Sequence, residues 1–419
     1  MPWKDTCPVD ERMKFVMDWE RGELSMSGLC RAYGISRPTG YKWMTRYTAG
    51  GLKALHDRSR APRHHPLAVS PTVEEVILAA RYKHPTWGPK KIRALLEAED
   101  RTQSWPACST IGDILKRHGL TVPRKLRRRT PPQRRPFAEC NAPNTVWCAD
   151  FKGWFQTLNG ARCEPLTITD AHSRYILRCQ AMTNTGYEPV RSIFEAVFRE
   201  HGLPHAIRTD NGSPFASRGI GGLSRLSVWW IQLGIVPERI EPGEPQQNGR
   251  HERMHLTLKQ ETASPPARTL RAQQRAFDRF RDQFNNERPH EGLGMRCPAE
   301  VYSPSAIVYP QRPRRGEYPP GLVHRIVQAR GEFYWNGHKV FLGEAFIGQR
   351  IALEPLHGRH WLIYFRKYPL GLLDSREHEV LKDKQAVKAC VRLGIIPPPR
   401  GSSATLQSLL AAASVVGEV

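Results

Sequence analysis

Between Thr121 and Pro136 the chain reads TVPRKLRRRTPPQRRP, with seven Arg or Lys residues, four prolines and no acid. Proline removes a backbone donor and blocks a helix interior, and a run of like charges repels itself, so this stretch continues neither a helix nor a central strand. It is expected to mark a clear boundary between parts of the chain. Before it the apolar residues recur at helical spacing; after it they alternate or run continuously, as strands do. Residues 121–138 are expected to form an extended basic linker, with Arg124, Lys125, Arg127, Arg128, Arg129, Arg134 and Arg135 free to lie along a polyanion. The bland alternative is a solvated tether.

Two helical stretches precede the linker. In LSMSGLCRAYGISRPTGYKWMTRY a helix, a Gly34-Ile35 turn and a second helix follow one another, with Ser36 placed to cap the second helix and Pro38 suited to its first turn. This is the pattern of a helix-turn-helix, whose second helix enters the major groove of DNA, although an ordinary αα-hairpin shares it. On the first reading residues 1–60 are a DNA-binding domain in which Arg37, Thr39, Lys42 and Arg46 face the duplex. Residues 70–120 form a second helix-turn-helix or winged-helix-like unit. VEEVILAARYKHPTWGPKKIRALLE supplies two helices parted at His84-Pro85, and CSTIGDILKRHG a third, with Ser109 as its expected cap, Gly119 as its stop and Lys116 as a further DNA contact.

Lys+Arg 63 against Asp+Glu 40 leaves a net charge of +23, which favours double-stranded DNA or another anionic polymer as partner. Nine cysteines are scattered without a single C-x-x-C pair, as expected for a reducing compartment. MPWKDTCPVD has no hydrophobic core segment, and the apolar patch Leu409 to Val416 is far shorter than the ~17 residues of a membrane span. The expectation is a cytoplasmic, nucleoid-associated protein of prokaryotic type, with no membrane partner. No G-x-x-x-x-G-K-[ST] loop is present, so no bound nucleotide is expected.

After the linker, residues 139–305 read as an α/β unit: strands in TVWCADFKGWF, LTITD, RYILRCQAM and AIRTDNG, a helix from Glu188 to His201, and a long amphipathic helix from Ala267 to Asn286. Residues 318–378 carry short β-runs with Asn336-Gly337 and His357-Gly358 turns and suggest a small β-barrel; residues 379–419 are expected to be a weakly ordered tail. Three acids stand out. Asp150 sits inside an apolar strand, where a carboxylate needs a partner or a metal. Asp210 ends AIRTDNG, at the strand end where α/β sheets place ligands. Glu252 follows Asn248-Gly249 at a helix start. Together they make a hard-oxygen site suited to Mg2+. Asp170, in ITDAHSRY, fits a hydrogen-bonded turn better than a catalytic role.

These residues resemble the DDE insertion-sequence transposases that share the retroviral-integrase, RNase H-like catalytic core. The likeness is carried by Trp147-x-x-Asp150-Phe-Lys, by Thr209-Asp210-Asn211-Gly212, by Pro242-Gly243-x-Pro245-Gln246-x-Asn248-Gly249-x-x-Glu252-Arg253, and by Asn285-x-x-Arg288-Pro289-His290. It implies Asp150, Asp210 and Glu252 as catalytic residues and ligands of two Mg2+ ions, with Mn2+ able to substitute, and Lys259 as a DNA contact. It also implies binding of terminal inverted repeats, hydrolysis that exposes 3′-OH ends, their joining to target DNA by transesterification, and a homo-oligomer on DNA. Two departures are visible. The Asp210 to Glu252 gap of 42 residues is longer than usual, with the glycine-rich SRGIGGLS as the insertion, and this brings Glu244 forward as a rival third acid. Retroviral integrases also carry a zinc-binding front domain, for which helix-turn-helix units stand here.

His251-Glu252-Arg253-Met254-His255 also matches the H-E-x-x-H zinc-hydrolase pattern. A zincin needs a third ligand, and the polar run Gln246-Gln247-Asn248-Gly249 marks an exposed helix start, so the histidines are expected at the surface, within reach of DNA. The readings that compete with a transposase are a DNA-binding regulator with a dead core, a nuclease without strand joining, and a zinc peptidase.

Overall fold

The computed structural model describes residues 7–59, 68–121, 140–240, 249–311, 318–396 and 406. The chain divides into two compact units, Met1–Ser70 and Pro71–Val419. The linker cations from Arg124 to Arg135 and the rival acid Glu244 lie outside the described residues.

The first unit is three helices, α1 (Pro8–Glu20), α2 (Met26–Ala32) and α3 (Arg37–Gly50), closed by a 3-10 turn at Leu52–Leu55. Phe15, Val16, Leu29, Cys30, Trp43 and Leu55 form its core. Ser36 caps α3 by accepting from the Thr39 amide at 3.4 Å, and Gly34 turns the chain at φ 63°. Gly40 sets how closely α2 and α3 approach: a Cβ there would lie 2.5 Å from Cys30 Sγ.

The second unit opens with α4 (Pro71–Lys83), α5 (Pro89–Glu99) and α6 (Cys108–Arg117). Gly119, at φ 69°, follows the end of α6 as expected, but Ser109 is not its cap. Ala107 occupies that position, which places Ser109 already inside the first turn. No strand occurs among the described residues 68–121, so nothing there forms a wing.

The α/β core follows with β1 (Val146–Phe151), β2 (Phe155–Gln156), β3 (Arg162–Asp170), β4 (Ile176–Met182), α7 (Tyr187–His201), β5 (Ala206–Thr209), α8 (Arg225–Gln232), β6 (Val236–Arg239), α9 (Gly249–Thr262) and α10 (Leu270–Asn286). β3 pairs antiparallel with β1 on one side and β4 on the other, while β1, β5 and β6 run parallel. Trp147, Ala149, Leu166 and Ile168 pack with Phe194, Phe198 and Trp229 from α7 and α8. On the opposite face Cys163, Ile176 and Cys179 meet Met254 and Leu258 of α9 and Phe277, Phe280 and Phe284 of α10. Because both faces are covered, Val146 to Ala149 are all buried, and the alternation expected of TVWCADFKGWF gives way to a continuous core strand.

α10 closes the open edge of β4. Asn285 accepts from the Ile176 amide at 2.8 Å and donates to the Ile176 carbonyl at 3.0 Å. Gln274 likewise accepts from the Ala181 amide at 2.7 Å and donates to the Cys179 carbonyl at 2.9 Å. Side-chain amides here take the place of a further strand.

The C-terminal region contains β7 (Val323–Ile326), β8 (Glu332–Trp335), β9 (His338–Phe341), β10 (Arg350–Pro355), β11 (His360–Phe365), β12 (Tyr368–Asp374), β13 (Glu379–Lys382) and α11 (Asp383–Arg392). It is not the expected barrel. A five-stranded antiparallel sheet in the order β13-β12-β11-β10-β7 and a β8-β9 hairpin are paired separately, and neither closes on itself. The expected turn Asn336-Gly337 is there, at φ 47° and 84°. The tail expectation also changes between 379 and 396, where β13 extends the sheet and Ala386, Val387 and Cys390 of α11 cover Leu362 and Leu372. The insertion SRGIGGLS has a packing role. Ile220 and Leu223 join Phe333, Ile351, Ile363 and Leu373, so the insertion seats the C-terminal sheet against the core.

Candidate active site

Asp150 lies on β1 two residues beyond Cys148, whose partner on the parallel neighbour β5 is Arg208. The same register carried forward sets Asp150 beside Asp210, at adjacent carboxyl strand ends. Parity along β1 takes Asp150 off the face that packs on α7, and its Oδ2 lies 3.8 Å from His255 Nδ1 of α9. Asp210 accepts from the Gly212 amide at 3.1 Å, and Asn211 donates to the Ile240 carbonyl at 2.8 Å, which ties this loop to the end of β6. A Cβ at Gly212 would come within 3.0 Å of Asp210 Oδ2. Glu252 stands exposed in the first turn of α9.

The electrostatics link these acids. The Asp150 carboxyl is pushed up to about 7, first by burial, then by the Asp210 charge, with a smaller contribution from Glu252; Lys152 and the Phe151 amide act in the other direction. Asp170 belongs to a different structure. Fully buried, its carboxylate accepts from the Asn144 amide at 2.8 Å and from the Ser173 amide and hydroxyl at 2.7 and 2.6 Å, which makes it the hydrogen-bonded turn expected.

The histidines are not at the surface. His251 is 3% and His255 5% exposed, and both rings rest on the threonine hydroxyls of β3. Helical spacing puts positions 251 and 255 on the sheet-facing side of α9, with Met254 and Leu258, and leaves Glu252 on the open side. Burial drives the ring pKa of His251 to about 3 and of His255 to about 2, so both are neutral. On α9 the two histidines therefore face the sheet while Glu252 is exposed on the open side, so the three do not line one open cleft.

The expected DNA contacts are placed as follows. Arg37 and Lys42 are exposed on α3, and the Thr39 hydroxyl lies 2.9 Å from that of Ser36. Lys42 and Arg46 flank the Trp43 ring at 5.2 and 4.7 Å. Lys116 on α6 and Lys259 on α9 are exposed. The motif Asn285-x-x-Arg288-Pro289-His290 proves to be architectural: Asn285 holds β4, and Arg288 pairs with Glu261 of α9 at 3.0 Å with the Trp87 ring at 5.9 Å. The sequence carried no signal for this role, because only the packing of α10 against β4 buries Asn285 beside the Ile176 backbone.

A central β1 flanked by antiparallel β3 and β4 on one side and parallel β5 and β6 on the other, with acids at adjacent strand ends, makes an integrase-like α/β core. The Integrase core domain family matches residues 141–245 and again 233–298. A Helix-turn-helix domain matches residues 11–63, a Homeodomain-like domain 39–115, and the IS481 family transposase C-terminal domain 323–381. The chain is 30% identical over 309 residues to the insertion element IS476 uncharacterized 39.2 kDa protein of Xanthomonas euvesicatoria, covering 71% of this chain and 78% of that one. It is 28% identical over 249 residues to the insertion element IS407 uncharacterized 31.7 kDa protein of Burkholderia multivorans, covering 58% and 86%. The HTLV-2 integrase catalytic core aligns at 16% identity and TM-score 0.31 over 39% of this chain and 99% of that one. The chain belongs to the integrase-core transposases of insertion elements.

Proposed function

We propose that the protein binds the terminal inverted repeats of its element through the helix-turn-helix units. It hydrolyses DNA there to free a 3′-OH and joins that end to target DNA by transesterification, with Asp150, Asp210 and Glu252 as the catalytic acids. The observation that carries this reading is the strand register that sets Asp150 beside Asp210 at adjacent carboxyl strand ends, where burial and the Asp210 charge raise the Asp150 carboxyl. A carboxyl so disfavoured as an anion gains most from a divalent cation, and oxygen donors fit Mg2+ or Mn2+. Asp150, Asp210 and Glu252 would hold two such ions, which when bound supply charge stabilisation to an in-line displacement at phosphorus.

The chain's own part is placement. β1 and β5 fix two carboxylates on rigid strand ends, and the Asn211 and Gly212 contacts fix the loop that carries the second. Lys259, one to two turns beyond Glu252 on α9, is set to hold a phosphate, and the linker cations add affinity blind to sequence. In the first step a water oxygen bonds to phosphorus as the 3′-oxygen leaves. In the second that 3′-oxygen bonds to a target phosphorus and displaces the target's own 3′-oxygen. The family likeness implies that two ends are joined in one event by more than one copy on the DNA.

Asp150→Asn, Asp210→Asn and Glu252→Gln should each abolish cation-dependent cleavage and joining of end-containing DNA while retaining end binding. Full activity in all three variants would refute the assignment, and cleavage without joined product would indicate a nuclease.

A further inference from the structure

The spacing of His251 and His255 gives the catalytic site something other than a peptidase zinc. Ligand atoms of Asp150, His251 and His255 all lie within 4.8 Å of one another. The two histidines are not equivalent. His251 has both ring nitrogens engaged on β3, Nε2 with the Thr167 hydroxyl at 2.7 Å and Nδ1 with the Thr169 hydroxyl at 3.0 Å. His255 places Nε2 at 2.7 Å from the same Thr167 hydroxyl and turns Nδ1 toward Asp150 Oδ2 at 3.8 Å.

One assignment of the hydroxyl protons satisfies all of these contacts together. Thr167 has one proton to give, and it goes to the backbone carbonyl of Asp150 at 3.1 Å, which can only accept. Thr167 Oγ1 is then the acceptor for both Nε2–H groups, and each neutral ring keeps its lone pair on Nδ1. In His251 that lone pair accepts from Thr169. In His255 it faces an Asp150 carboxyl oxygen at 3.8 Å, too far for a hydrogen bond and within the span that one shared cation bridges. A nitrogen and an oxygen 3.8 Å apart can share one ion at ordinary bond lengths of about 2.0–2.2 Å.

The geometry points to His255 Nδ1 as a ligand, beside the Asp150 carboxylate, of a divalent cation in the catalytic site. This rests on the carboxylate site proposed above. His251 and Thr167 position the ring without touching the ion. A mixed nitrogen and oxygen donor set suits Mn2+, Co2+ or Zn2+ better than Mg2+, which takes oxygen.

The test is pulsed electron paramagnetic resonance of Mn2+ bound to the full chain. Bound Mn2+ should show a directly coordinated nitrogen whose coupling changes on 15N-histidine labelling, persists in His251→Gln and is lost in His255→Gln. Labelled wild-type protein and His251→Gln suffice to assign the ligand if the His255 variant does not fold. Mn2+ that is held by wild type but not by Asp150→Asn, yet shows no nitrogen coupling or loses it in His251→Gln, overturns the inference and leaves the carboxylate site standing. Mn2+ that fails to bind, or binds Asp150→Asn equally well, defeats both.

Discussion

Replacing Asn285 by alanine is expected to destabilise the catalytic core severely without altering any acid of the site. Its side chain, 2% exposed, satisfies both the amide and the carbonyl of Ile176 at 2.8 and 3.0 Å on the open edge of β4. Alanine leaves two buried backbone groups without partners, at about 1–3 kcal/mol each, so the loss should be about 2–6 kcal/mol. The replacement also removes the tether between α10 and the sheet at one end, while Gln274 keeps the other end bound to Cys179 and Ala181. The disturbance should therefore be local. Urea unfolding of wild type and Asn285→Ala gives the free-energy difference, and hydrogen exchange of the peptide spanning 175–182 locates it. Exchange should accelerate at Ile176 and change little near Ala181. A variant within about 0.5 kcal/mol of wild type, with Ile176 equally protected, would refute the edge-capping argument, since such a value is ordinary for a surface change.

Three further outcomes are expected. Gly40→Ala forces a methyl to 2.5 Å from Cys30 Sγ and 3.1 Å from Phe15, so the first helical unit should lose about 1–3 kcal/mol by overpacking, measured by its thermal unfolding. Changing Arg37 and Lys42 together to alanine should weaken DNA binding and reduce the slope of log K against log salt by about 0.9 for each phosphate that is no longer neutralised; an unchanged slope would remove α3 from the interface. His290, 7% exposed, has its pKa driven to about 3 by burial, with Lys91 and Arg288 adding to the effect. Its folded value is depressed, so only the unfolded chain takes up this proton as pH falls below about 6.5, and stability should decline by roughly 1 kcal/mol per pH unit until about 3. His290→Phe should flatten that decline in unfolding experiments at pH 7.5 and pH 5, whereas parallel curves for the two proteins would contradict it.

The sequence by itself indicated element types and their order, but not that α4 to α6 belong to the same compact unit as the α/β core. The proline-rich cationic run from Thr121 separated helical from strand-forming segments, the Ser36 cap and the Gly34 turn marked the helix-turn-helix, and apolar runs ending in Asp150 and Asp210 marked the strands. These signals are local: proline geometry, capping and periodicity act within a few residues. Tertiary structure alone decided which faces were covered. Nothing in the spacing of His251 and His255 says that α9 lies with these rings on Thr167 and Thr169, because burial of a helix face depends on what is packed against it. The edge-capping role of Asn285, the packing of Ile220 against the C-terminal sheet, and the failure of that sheet to close into a barrel are likewise long-range pairings. Short alternating strands fit an open sheet or a barrel equally well, and here α11, which covers one face of the sheet, and the β8-β9 hairpin with Ile220 and Leu223, which packs with the apolar residues of β10 to β12, bury the sheet without closure.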